Sequence, residues 1–240
     1  IRDSSYGWKN KRRNRRRNYW ATGGISVKFN WDNIVFQMLG KLVDCVWVSI
    51  LWVICCIPVF TIGASTTALY YTVHKSIRGD RGYTTRTFFG AFRDNFKAAT
   101  LPYLIWLAVM IILGCDAYIT YQVLKTGSMK GAFFYFFLIM IAVAIMWSAF
   151  LFPYIARFEN TVKQTLKNAF LLMIRHLPWA LLLLVILIAS ALSIYIIPVL
   201  LVVIPAVTSM VFDFILERLF RRYMSPEDLE REEENDMYAS

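Results

Sequence analysis

Cys55-Cys56-Ile57-Pro58-Val59-Phe60-Thr61-Ile62-Gly63-Ala64-Ser65-Thr66-Thr67-Ala68-Leu69-Tyr70-Tyr71 joins two long apolar stretches. Proline lacks a backbone donor and glycine tolerates a sharp bend, so Pro58 and Gly63 predict that one helix ends here and another begins. Beyond the break, Gly63, Ala64, Ser65, Thr67 and Ala68 carry little side chain, which lets two helices approach closely in a membrane. The stretch reads as the tip of a helical hairpin, with Pro58 and these five small residues as its packing face.

Outward from this hairpin the chain is mostly apolar. Of 240 residues, 58% are hydrophobic and only 18% charged, and the charge falls in a few patches. Between the patches lie runs of about 20 residues almost without charge, long enough to cross a ~30 Å hydrocarbon layer as helices. A soluble domain would disperse its charge over its surface. No secretory signal pattern is visible in the basic, polar first forty residues.

Taken in order, residues 1–30 form a basic cytoplasmic tail, with Lys9, Lys11, Arg12, Arg13, Arg15, Arg16 and Arg17 close together. Ahead of a membrane span, such a run suits anionic lipid better than nucleic acid. The transmembrane helical domain covers 31–223. Its first span is expected over 39–60, and its second segment over 64–77, about 21 Å as a helix and therefore short. Residues 84–100 place Phe88, Phe92 and Phe96 four apart, with Arg93 on another face. That pattern predicts an amphipathic helix on the membrane surface. Leu101-Pro102-Tyr103 then opens a third span, 101–124, and a fourth follows over 132–155.

Residues 157–176 repeat the amphipathic pattern, with Val162, Leu166, Ala169 and Met173 on one face and Lys163, Gln164, Lys167 and Asn168 on the other. Leu177-Pro178-Trp179 opens an apolar block too long for one span, which splits near Pro198 into 179–197 and 199–219. The end, 224–240, is an acidic cytoplasmic tail bearing Glu227, Asp228, Glu230, Glu232, Glu233, Glu234 and Asp236. The expectation is all-α: a polytopic membrane helix bundle of about six transmembrane segments in three hairpins, with two cytoplasmic amphipathic helices. Basic residues mark the cytoplasmic side. With six crossings, all basic patches and both termini lie in the cytoplasm.

Chemistry is sparse. Gly40-Lys41 lacks the flanking residues of a phosphate-binding loop, and Gly63-Ala64-Ser65 does not continue to a nucleophile elbow. His74 and His176 match no zinc spacing. Cys45, Cys55, Cys56 and Cys115 all sit in apolar segments without metal-ligand spacing, as small buried hydrophobes would. No enzyme activity, cofactor or metal is expected. Asp44, Asp116 and Asp213 lie within apolar runs, where a carboxylate is expensive and marks a polar contact. Asp44 and Asp213 lie close to Lys41 and Arg218 in sequence; Asp116 is deeper, without a neighbouring base. Phe88, Phe92, Arg93, Phe96, Lys163 and Lys167 are the candidates for cytoplasmic docking on another subunit.

The run 58–71, followed by Arg78-Gly79, Gly82-Tyr83, Phe88-Phe89, Phe92, Asn95-Phe96-Lys97 and Ala99-Thr100, resembles the YesL family of bacterial integral membrane proteins. The similarity extends over about 31–223. Members are commonly encoded beside carbohydrate ABC importers of Gram-positive bacteria, particularly those for oligosaccharides. The resemblance therefore implies a non-catalytic accessory subunit in the bacterial plasma membrane, packed against sugar-importer permease subunits. It supplies no catalytic residues. Two other readings stay open: that the chain is itself a permease or carrier component, or that it is a membrane sensor or regulatory scaffold. Ala98-Ala99 and Leu101-Pro102 give only a fragment of the loop by which importer permeases engage their ATPase.

Overall fold

The computed structural model describes residues 31–78, 83–126, 129–158 and 160–224. The basic segment 1–30, the acidic segment beyond Met224 and residues 79–82 lie outside the described residues. The chain divides after Met38 into two units, and the unit that begins at Leu39 carries the packed core and the buried charges. In chain order the helices are α1 (Trp31–Cys55), α2 (Ile62–Thr72), α3 (Thr84–Lys125), α4 (Phe133–Arg157), α5 (Val162–Arg175), α6 (Leu177–Ile196) and α7 (Ile204–Phe220). A π-helical stretch, Val73–Arg78, continues α2, and short 3-10 turns occupy Val59–Thr61, Met129–Ala132 and Pro198–Val202. No strand occurs among the described residues, so the fold is all-α.

The α1–α2 elbow follows from local chemistry. α1 ends at Cys55, three residues before Pro58. The Thr61 hydroxyl reaches back to the carbonyls of Cys55 (2.5 Å) and Pro58 (2.6 Å), meeting acceptors that the helix end leaves open. At Gly63 a side chain has no room. An added Cβ would overlap Tyr103 Cβ and stand 2.9 Å from the Ala99 carbonyl. Through this contact α2 lies directly on α3.

α2 is the enclosed helix of the bundle. Gly63, Ala64, Ser65, Thr67, Ala68, Leu69, Tyr70 and Thr72 are all buried, leaving few positions for lipid or water. Cys45, Val48 and Leu51 of α1 cover one side together with Phe88 and Ala91 of α3. Ala99 and Tyr103 of α3, Ala149 and Phe150 of α4 and Phe212 and Leu216 of α7 belong to the larger cluster around Ala64 and Tyr70. A segment too short for a bilayer is thereby shielded by the chain's own helices.

α3 corrects the expectation of a surface helix followed by a separate span. It is one helix of 42 residues, with Pro102 inside it. At 1.5 Å per residue it runs about 63 Å, twice the ~30 Å apolar layer, so its amphipathic turns extend beyond that layer or tilt through its edge. An interior proline removes a hydrogen bond and costs ~3 kcal/mol. Packing carries the helix through: Thr84, Phe88, Ala91, Ala99, Pro102 and Tyr103 form a buried stripe at helical spacing that crosses the proline unbroken. The Trp106 indole nitrogen then donates to the Ala144 carbonyl (2.8 Å), tying α3 to α4.

Three helices among the described residues, α3, α4 and α6, are long and apolar enough to cross a membrane. They expose large side chains in series, among them Ile111, Ile112 and Ile119 on α3, Phe136 and Ile139 on α4, and Val185 and Ile188 on α6. A protein surrounded by water rarely exposes apolar patches on this scale. The chain is a membrane protein.

Candidate functional site: a buried charge network

Asp213 and Glu217 stand four residues apart on α7, and His74 and Arg78 stand four apart on the π-helical end of α2. Residues at that spacing share one helix face, so each segment offers a two-rung ladder of one sign. The ladders meet. The Asp213 side chain is fully buried (0% exposed) and accepts from His74 Nδ1 at 2.8 Å and from Arg78 Nη1 at 2.7 Å. Against an ionised carboxylate His74 must carry its proton on Nδ1. Glu217, 4% exposed, accepts from Arg157 Nη2 at the end of α4 (2.8 Å), and Arg221 Nε stands 3.6 Å from the same oxygen. Its other oxygen, Oε2, lies 3.9 Å from His74 Nδ1 and accepts no hydrogen bond among the described residues.

Five ionisable side chains thus tie α2, α4 and α7 together at one end of the bundle. Two buried carboxylates face two guanidinium groups at hydrogen-bonding distance, so the charge is nearly balanced locally. Removing one member of such a buried pair strands its partner in a medium that solvates charge poorly. Tyr70, also buried, places its hydroxyl within electrostatic reach of Asp213, Glu217 and Arg157 but outside hydrogen-bonding geometry. One turn of α7 back towards its start, the Thr208 and Ser190 hydroxyls meet at 2.8 Å and join α7 to α6.

One ligand atom each from His74, Asp213 and Glu217 lies within 4.8 Å of the others, a spacing that suits a cation. The donor set argues otherwise. Arg78 and Arg157 already occupy one oxygen of each carboxylate, and both guanidinium groups would repel an entering metal ion. The network suits pairing of helices better than metal coordination. Neither histidine bonds a serine, threonine or cysteine among the described residues: His74 meets Asp213, and His176 Nε2 meets the Tyr223 hydroxyl at 3.0 Å.

The three acids marked from sequence have three different fates. Asp213 pairs with His74 and Arg78, not with Arg218, whose guanidinium lies over the Phe214 ring instead (4.9 Å). Asp44 is half-buried and accepts from the Thr84 hydroxyl at 3.1 Å, next to a bond from Trp47 Nε1 to Thr85 Oγ1 at 2.8 Å. Asp116 is half-buried on α3 beside Ile119, Thr120, Phe133 and Phe137, and its side chain has no hydrogen bond or ion pair among the described residues. The Thr120 hydroxyl bonds its backbone carbonyl, not its carboxylate (2.7 Å).

The docking candidates divide. Phe88 is fully buried, and Phe92 and Phe96 are half-buried; Phe92 stacks on Phe88 (centroids 6.4 Å apart) and meets Phe96 edge-on (5.6 Å). Their stripe faces the bundle, which takes Phe88 away from any partner. Arg93, Lys163 and Lys167 are exposed. The last two project from α5, whose start is fixed by Thr161 and Gln164 in a reciprocal cap and whose inner face is Thr165, Ala169, Leu172 and Met173. Pro58 lies at the elbow, and Gly63, Ala64, Ser65, Thr67 and Ala68 line the enclosed helix α2.

His74, Arg78, Arg157 and Glu217 do not stand out in the sequence as site residues. The one signal is the shared four-residue spacing of two opposite-sign pairs at the ends of two apolar segments.

A family model described as a protein of unknown function, DUF624, matches residues 45–117. That span runs from the middle of α1 through the elbow, α2 and the amphipathic turns into the last quarter of α3. No curated protein and no solved structure matches the chain.

Proposed function

We propose that the chain is a non-catalytic accessory membrane subunit of a carbohydrate ABC importer, packed against the permease subunits in a bacterial plasma membrane. The observation that carries this reading is the stretch 58–100. Its residues resemble the YesL family, and it falls wholly inside the segment matched by the family model. In this reading six segments cross the membrane as three hairpins, α1 with α2, α3 with α4, and α6 with α7. Both termini, α5 and the first turns of α3 face the cytoplasm, where basic residues are retained. The basic segment 1–30 adds a contact to anionic lipid headgroups. The apolar faces of α3, α4 and α6 then serve lipid and permease alike.

Purification of the tagged chain from native membranes in mild detergent tests this. The expected result is co-elution with permease subunits and slower sugar uptake when the chain is deleted with the permeases held constant. A lone chain, with uptake unchanged, would overturn it.

A second reading, that the chain is itself a carrier component, draws on the network of Asp213, Glu217 and His74. Ionisable groups buried among apolar helices commonly line ion or proton paths. Uptake that persists in vesicles holding this chain without permeases would favour it.

A further inference from the structure

A cavity of about 830 Å³ opens between the π-helical end of α2, the first turns of α3, the end of α4 and the start of α5. Its walls carry Lys75, Arg86 and Arg157 against one acid, Asp94, with hydroxyls and amides between them. Arg86 is exposed and makes no ion pair among the described residues. Lys75 is exposed too, and among the described residues it meets Tyr71, whose hydroxyl lies 3.3 Å away. Arg157 at the back is engaged with Glu217 and touches Met224, whose sulfur lies 3.8 Å from Nη2. Met224 is where the described chain ends. The sixteen residues beyond it, 225–240, hold seven acids and one base, Arg231.

We propose that this cavity is a receptor for an acidic peptide and that its resident occupant is the chain's own segment 225–240. The root of that segment touches a cavity wall residue. Fully extended, the ten residues from Met224 to Glu234 span about 33 Å, which keeps Glu230 to Glu234 within tether reach of a cavity whose wall includes Arg157. Charges of opposite sign face each other across a partly enclosed space, where screening is weaker than in open water. Tethering supplies an effective concentration of the order of 1 mM, so a contact with a dissociation constant of only ~0.1 mM is occupied about ten to one. The cavity would thus be shielded until a competing acidic segment, or a change in salt, releases it.

Gly90 offers a reporter position. It lines the cavity, and a Cβ there meets nothing within 4 Å. With the native cysteines replaced by alanine, Gly90→Cys is labelled with an uncharged maleimide in the full chain and in a chain ending at Met224. Labelling in the full chain is expected to be about tenfold slower at low salt, and the difference to vanish in 1 M salt or with Lys75→Glu and Arg86→Glu together. Asp94→Cys serves if Gly90→Cys does not fold. Paired with Glu232→Cys, either reporter is expected to form a disulfide under mild oxidation, while Tyr195→Cys on α6 is not. Equal labelling of the full and shortened chains would overturn the proposal. So would protection that survives the shortening in native membranes and is lost on purification, which would assign the cavity to a partner's acidic segment.

Discussion

The end of the bundle that holds Asp213 and the stretch of α3 that holds Asp116 present the same residue type in equally apolar sequence, with opposite results. Asp213 is fully enclosed and takes donors from His74 and Arg78, residues more than a hundred positions earlier. Asp116 is half-buried and meets no side-chain donor among the described residues. An acid in a membrane helix is therefore not one kind of signal. At the α2–α7 contact the carboxylates join helices. On α3 the carboxylate is held by nothing among the described residues.

The sharpest way to break this contrast is to remove Arg157. Arg157→Met leaves Glu217 buried with Arg221 at 3.6 Å and His74 at 3.9 Å as its nearest basic groups among the described residues, and loss of one partner of a buried pair costs about 3–5 kcal/mol. Thermal unfolding in mild detergent is expected to begin ~10 °C lower, taking about 2–4 °C per kcal/mol for a chain of this size. Asp213→Leu comes next. It forfeits two charge-assisted hydrogen bonds, but Arg78, 38% exposed, can turn to water. A loss of about 2–3 kcal/mol is expected, and an unchanged melting temperature would show that the network holds nothing together.

Gly63→Ala probes the other fixed point of α2. The added methyl overlaps Tyr103, and overpacking of this kind costs about 1–3 kcal/mol. Melting as in the parent protein would mean that α2 and α3 separate easily. Asp116→Leu is the smallest effect. Stability of the isolated chain should change by no more than ~0.5 kcal/mol, as at sites without a specific contact. A pronounced loss would reveal a partner for Asp116 within the chain and erase the contrast. Weakened co-purification with unchanged melting would locate its partner outside.

How far each of these features can be read from sequence depends on the range of the force involved. The elbow at Pro58 and Gly63 is legible because a missing donor and a missing Cβ act within a few residues. Pro102 misleads for the same reason. Its local preference to end a helix is overridden by a stripe from Phe88 to Tyr103 that gains from staying continuous against α2. The spacing of Phe88, Phe92 and Phe96 shows that an apolar face exists but not what covers it, and the bundle covers it. The split near Pro198 is visible, yet α7 starts only at Ile204 because Pro205 suits the first turn of a helix better than its interior. The charge network is illegible by inspection of single residues, since its members lie on three separate segments. Only the matching intervals, 74 to 78 and 213 to 217, hint at it.

The central claim, that opposite charges on α4 and α7 hold this end of the bundle by facing each other, is tested most directly by exchanging them. Arg157→Glu and Glu217→Arg should each lower the melting temperature strongly. The double variant should recover part of the combined loss, a coupling of about 1–3 kcal/mol. A double variant that melts at the sum of the two single losses would contradict the account.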